Sequence, residues 1–368
     1  MKNKVIGINL LFLIPGKIGG SEPYSRGIVD GLHKFDKENK YVLFCNKENY
    51  DTFDKEYNRV LIPINASNRF ARLLTEQIAL PLYLFFLKVD VVYSLGYTSP
   101  FITPCKSIVN IFDLNWYYHP EDFSFPQRII WRFFITNSAR FADAITTSSF
   151  SSKKSIEDIF KYKKNIEAIY PGLPQLSKIK PNARINKNNT PYFFSLSAAY
   201  PHKNLITLLK AHKILIDKGH KVNLQIAGLG GKSSKELEEY IRDNKIGNYV
   251  KQLGYVSDKK MVSLYNGAKA LVFTSAYEGF GIPIIEAFSL GVPVISSNAF
   301  SLKEVVGNGG VLISPYNYKR FATEMGKVIV DDKYRKNLSL KSKKAAIRFN
   351  WQASIDKLTN FFDKTVIN

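Results

Sequence analysis

Two carboxylates, Glu278 and Glu286, stand on either side of Gly279-Phe280-Gly281-Ile282-Pro283. On one straight helix they would lie about 12 Å apart, at roughly 1.5 Å per residue. The glycines flanking Phe280 let the backbone turn sharply and approach a ligand closely. Such a turn would fold Glu278 back until both acids face one ligand. Carboxylates accept hydrogen bonds from paired hydroxyls of the kind sugars and ribose carry. Amides at the helix start beyond the loop attract phosphate. The same residues also fit a plain helix start, with one acid near the dipole and another on a wet face.

Other loops offer complementary chemistry. Ser197-Ala198-Ala199-Tyr200-Pro201-His202-Lys203-Asn204 follows an apolar run and places Lys203 at a helix start, where the helix dipole disfavours a cation. A lysine there is useful if it meets an anion bound at the same helix end, and is otherwise a solvated side chain. Gly16-Lys17-Ile18-Gly19-Gly20-Ser21 follows the first strand and reads as a phosphate loop or as a simple turn, and Gly228-Leu229-Gly230-Gly231 follows a later strand. Asp113 closes the run Ile108–Phe112 and is either a catalytic group or a helix cap.

The elements that must position these residues alternate regularly. Short apolar runs at 5–13, 41–45, 60–64, 89–94, 107–112, 144–147 and 166–170 read as strands, with helical patterns between several of them, notably 23–35 and 69–87. After prolines 171, 174, 181 and 191 the pattern restarts, with strands at 192–196, 222–227, 250–253, 270–274, 294–296 and 311–313. A helix follows the last glycine of the acidic stretch and stops at Gly291. Alternating β and α over both halves predicts an α/β protein with two parallel sheets covered by helices. Ligands in such sheets bind beyond the carboxyl ends of the strands, and two such domains face to face would hold one between them.

Composition sets the remaining bounds. The chain has 368 residues, 45% hydrophobic, enough for two cores. Cys45 and Cys105 are too few for a disulfide framework and read as small buried residues of a reducing compartment. The apolar N-terminal run reads as a buried strand, not a secretory signal, and no apolar run approaches the roughly 20 residues of a spanning helix. The net charge is +21, unevenly placed: residues 1–175 carry 22 Lys+Arg against 17 Asp+Glu, and residues 176–368 carry 30 against 14. Nucleic acid, an anionic membrane surface or simply solvated helix faces would each accommodate that excess, and no nucleic-acid motif accompanies it. Residues 126–141 mix Arg128, Arg132 and Arg140 with aromatic and aliphatic side chains, as a helix on a membrane surface or one packed on its own sheet would.

Taken together, the blocks resemble a retaining nucleotide-sugar glycosyltransferase of family 4, whose fold is GT-B, two Rossmann-like domains facing a cleft. Tyr277–Ala287 is similar to the family's Glu-x7-Glu signature, and Gly291–Ile295, Ser301–Val305, Leu253–Ser257 and Pro201–Asn204 resemble its neighbouring blocks in order. The resemblance implies a first domain at 1–174, completed by the helix 350–368, a linker at 175–189 and a donor-binding domain at 190–349. It also implies roles. Glu286 would hold the donor ribose and Glu278 the transferred sugar. The amides of Phe280, Gly281 and Ile282 would cap the diphosphate, with Lys203 neutralising charge on it. Ser197 and His202 would line the donor site, Val256 would border the base, Gly20 would touch the phosphates from the first domain, and Asp113 would lie on the acceptor side.

Two positions depart from the family pattern. Phe112 precedes Asp113 where the family often has His, and His202 stands where it often has Arg, one permanent charge fewer. No Asp-x-Asp occurs, so no metal and no cofactor are expected. The implied activity is transfer of a mannose-, rhamnose- or glucose-type hexose or deoxyhexose to a free or lipid-linked glycan, in the cytoplasm or against the inner face of the plasma membrane. A non-catalytic module that binds nucleotide sugar or glycan is the alternative.

Overall fold

The structure, a computed structural model, describes every residue except 1, 2, 163, 175, 177, 178, 180–189, 229 and 368. Most of the expected linker therefore lies outside the described residues. The chain divides into two compact units, the first comprising Met1–Tyr118, Phe123–Gly172 and Asn350–Asn368, the second His119–Asp122 and Leu173–Phe349. The short insert His119–Asp122 is the main difference from the division expected.

The first unit begins with β1 (Val5–Asn9), α1 (Ser21–Phe35), β2 (Lys40–Cys45), β3 (Arg59–Leu61), α2 (Arg69–Phe86), β4 (Val91–Ser94) and β5 (Lys106–Asn110). It continues through α3 (Asn115–Tyr118), α4 (Phe125–Phe141), β6 (Ala144–Thr147), α5 (Phe150–Phe160) and β7 (Asn165–Ala168). Its seven strands pair in parallel in the order β3-β2-β1-β4-β5-β6-β7. Buried on both faces, such strands need apolar runs rather than alternation, which is why the sequence marks them. Most are shorter than the runs: Leu10, Leu11 and Leu13 are buried beyond the end of β1.

In the second unit β8 (Tyr192–Leu196), α6 (Leu205–Asp217), β9 (Asn223–Ala227), α7 (Ser234–Asp243), β10 (Val250–Gln252), α8 (Asp258–Gly267) and β11 (Leu271–Phe273) come first. Then follow α9 (Ile282–Ser289), β12 (Val294–Ser297), α10 (Leu302–Val306), β13 (Val311–Ile313), α11 (Tyr318–Val330) and α12 (Asp332–Ala346). The parallel sheet runs β10-β9-β8-β11-β12-β13. In each sheet the chain order reverses once, between β1 and β4 and between β8 and β11, and a reversal leaves a crevice at the strands' carboxyl ends.

The last helix, α13 (Trp351–Ile367), belongs to the first unit. It crosses α1 where that helix carries glycines. A Cβ on Gly27 would stand 2.0 Å from the Trp351 ring, and one on Gly31 2.7 Å from Ile355. Ile355, Leu358, Phe361 and Phe362 are buried in the first core, with Phe362 edge-on to Tyr93 at 5.4 Å. On the inner side of α2, Leu80 and Leu84 pack under the sheet beside a buried ion pair, Arg72 to Glu76 at 3.3 Å. Cys45 is buried and Cys105 only half-buried, not fully as expected, and burial pushes both thiols up to about 12.

Candidate functional site

The chemistry gathers at the β8/β11 reversal of the second sheet. Beyond β8 the chain runs through Ser197 to a 3-10 turn, Pro201–Lys203. Asn204 takes a left-handed conformation, φ 51°, and ends that turn before α6 begins. Lys203 thus sits in the turn preceding the helix rather than in the helix's own first turn. Beyond β11 the chain runs through Thr274 to Gly281, whose φ of 103° suits glycine and starts α9.

Hydrogen bonds zip the two loops together. Asn204 Nδ2 donates to the Thr274 carbonyl at 3.1 Å, Thr274 Oγ1 to the Asn204 carbonyl at 3.0 Å, and the Ala276 amide to the His202 carbonyl at 2.7 Å. Ser301, just before α10, steadies the acidic loop by donating Oγ to the Glu278 carbonyl at 2.6 Å. So fixed, Lys203 Nζ meets Glu278 Oε1 at 2.8 Å, both groups mostly buried. This ion pair joins two side chains 75 positions apart.

Glu286 lies inside α9, buried, and Tyr265 of α8 donates to its Oε2 at 2.7 Å. Burial pushes the Glu286 carboxyl up to about 7, against the pull of the tyrosine hydroxyl and with a smaller push from Asp258. The start of α9 has no side-chain cap, and Pro283 in its first turn brings no N–H. Phe280 is buried with its ring edge-on to Phe349 at 5.8 Å, Gly281 is buried and Ile282 half-buried.

The glycine loop after β9 has a packing role. A Cβ on Gly228 would come within 2.3 Å of the Ser197 carbonyl, and one on Gly231 within 2.4 Å of the Ala199 carbonyl. Glycine there lets this loop lie directly on the loop after β8. The Ser197 amide donates to the Ala227 carbonyl at 2.8 Å, and Val256, between β10 and α8, is buried.

Sequence reasoning missed the insert His119–Asp122. Asp122 Oδ2 lies 2.5 Å from His202 Nδ1, with both side chains buried. The His119 ring lies 5.7 Å from that of His202 and 5.2 Å from that of Tyr277, its Nδ1 2.8 Å from Glu121 Oε1. His202 is therefore fixed by a carboxylate 80 residues earlier, which no local pattern signals.

The structure brings Ser197, His202, Lys203, Glu278, Phe280, Gly281, Ile282 and Glu286 together around the loops after β8 and β11. Gly20 and Asp113 belong to the first unit. Gly20 is the exposed residue before α1, and Asp113 Oδ1 accepts from the Asn115 amide at 3.0 Å where α3 begins. Phe112 is buried in the first core, 5.1 Å from the Tyr24 ring and 5.3 Å from Tyr97. Among the described residues no three His, Cys, Asp or Glu side chains group to hold a metal ion.

Residues 177–345 match the family described as Glycosyl transferases group 1. The O-antigen chain mannosyltransferase RfbU of Salmonella typhimurium is 28% identical over 287 residues, covering 76% of this chain and 78% of that protein. O-antigen chain mannosyltransferase B of Escherichia coli is 31% identical over 172 residues, so the match spans 46% of this chain and 45% of that relative's length. In fold, the chain is similar to sucrose-phosphate synthase of Thermosynechococcus elongatus, with a TM-score of 0.78, 16% identity and coverage of 98% and 99%. It is also similar to Anabaena HepE in complex with UDP and glucose, with a TM-score of 0.76, 19% identity and coverage of 98% and 100%.

Proposed function

We propose, from the premise that the chain is a group 1 glycosyltransferase with the GT-B fold, that its second unit binds a nucleotide-diphosphate sugar. The enzyme then transfers the hexose or deoxyhexose, with retention, to a glycan of a surface polysaccharide. The observation that carries this reading is the Lys203–Glu278 pair, pinned at the sheet's reversal in the loop that leads into α9 and its buried Glu286. A diphosphate gives Lys203 a second anion to neutralise as the leaving group departs. Glu278 takes hydroxyls of the sugar, and Glu286 takes those of the ribose. The amides of Phe280, Gly281 and Ile282 cap the phosphates, and Val256 borders the base. Ser197 and His202 line the same pocket wall, and Asp122 holds the imidazole in place.

Front-face attack assisted by the departing phosphate accounts for retention, so Glu278 binds and does not attack. Gly20 and Asp113 are the first unit's candidates for phosphate and for acceptor. The O-antigen mannosyltransferase relatives support a mannose-type sugar and a glycan acceptor.

A thermal-shift screen of nucleotide sugars in the presence of EDTA tests the donor, since a ligand bound only by the folded state raises the melting temperature. One donor class should raise it, and Glu278→Ala should keep that shift while losing at least about a hundredfold in turnover. If no nucleotide sugar shifts the parent protein, the reading fails. A shift with neither transfer nor hydrolysis would make the chain a binding module instead.

A further inference from the structure

The first unit displays an apolar face that its own fold leaves uncovered. On α2, Phe70, Leu74, Ile78, Leu82, Phe85 and Phe86 are all more than 40% exposed, while Leu80 and Leu84 on the opposite side fill the core. Half of the large exposed apolar side chains of the described residues lie on α2, on α4 or in the segment between β4 and β5. These pieces are joined. The Phe101 amide donates to Gln77 Oε1 of α2 at 2.9 Å, and its ring lies 6.0 Å from Phe133 and 5.8 Å from Phe141 of α4. Ile102 beside it is 84% exposed. Patches of this extent mark interaction sites.

The charges within this face have one sign, and the exposed Asp90 and Asp143 lie just past its ends. Segments 69–88, 95–105 and 125–142 contain a single carboxylate, Glu76, which is buried against Arg72. Arg69, Lys88, Arg132 and Arg140 are exposed there. No helix of the described residues is long and apolar enough to cross a membrane. Two helices joined through Phe101, with outward aromatic and aliphatic side chains, several cations and no exposed acid of their own, suit the boundary between headgroups and acyl chains of an anionic bilayer.

We infer that α2, Phe101–Ile102 and α4 form a membrane-docking face, with α2 lying in the interface and the arginines meeting anionic headgroups. The inference stands on surface chemistry and does not depend on the donor reading.

The test is co-sedimentation of the full chain with phosphatidylcholine vesicles, with and without phosphatidylglycerol. Binding is expected only with the anionic lipid and should weaken with salt. Ile78→Asp/Phe85→Asp and, separately, Arg132→Glu/Arg140→Glu should each lower it at least about tenfold. Both should leave the circular dichroism melt and the nucleotide-sugar thermal shift unchanged. Val330→Asp, on an exposed apolar residue of the second unit, should bind like the parent. Absence of binding at low salt, or undiminished binding of the α2 variant, would overturn the inference. So would a parent dimer that Ile78→Asp/Phe85→Asp converts to monomer, since a second copy would then be the occupant.

Discussion

Glu286 is the side chain whose chemistry can be read in two ways at once. Its carboxyl titrates near 7 because burial opposes the charge, whereas in the unfolded chain it titrates near 4.5. The folded state therefore holds the proton more tightly. Its stabilising contribution is complete below the unfolded value and is lost as pH rises through the folded one. Glu286→Gln keeps an acceptor for Tyr265 and removes the charge. The variant should match the parent in thermal stability near pH 4.5 and exceed it at pH 8, by on the order of 1–3 kcal/mol. Its affinity for the nucleotide sugar should fall at least about tenfold, because a neutral amide is a poorer partner for ribose hydroxyls. Denaturation curves at the two pH values, read beside donor titration, check both. A variant less stable than the parent at pH 8 would contradict this account of the burial.

The β/α alternation and the strand–glycine–helix order around Glu278 were legible because they depend on local chemistry. Parallel strands buried on both faces need apolar runs, and the turn into α9 needs a glycine at Gly281. What was not legible depends on partners distant in sequence. Nothing near Glu286 names Tyr265, and nothing near His202 names Asp122. The uncovered side of α2 was hidden for a similar reason, since an apolar run gives no sign of which side the sheet covers. Arg72 and Glu76 sit one turn apart on α2, and a surface ion pair reads identically in sequence. Their burial changes the arithmetic. Glu76→Ala leaves a buried guanidinium unpaired and should cost about 3–5 kcal/mol, whereas Arg72→Leu/Glu76→Leu should cost less than the single change. Chemical denaturation of the two variants decides it, and equal losses would show that the pair's charges do not set the cost.

For the molecule as a whole, the +21 charge needs no nucleic acid to explain it. Lysines on α12 are spread along an exposed helical face, while the arginines of α4 flank an apolar one. The placement of α13 matters more. Four large apolar side chains of this helix are buried in the first core, each worth about 1.5–3 kcal/mol. Removing residues 350–368 should therefore cost roughly 6–12 kcal/mol, comparable to the whole stability of a typical domain. The shortened chain should show the first unit cut by protease at the temperature where the parent resists. A melting temperature within a few degrees of the parent's would refute that.

The glycines of α1 wait for a tryptophan and an isoleucine supplied from the far end of the chain. On the ribosome, the opening half of the protein must then linger with its greasy floor bare while the other half is still being translated. The second sheet can close before the first is finished, so the half made earliest is the one most exposed to chaperones and to aggregation.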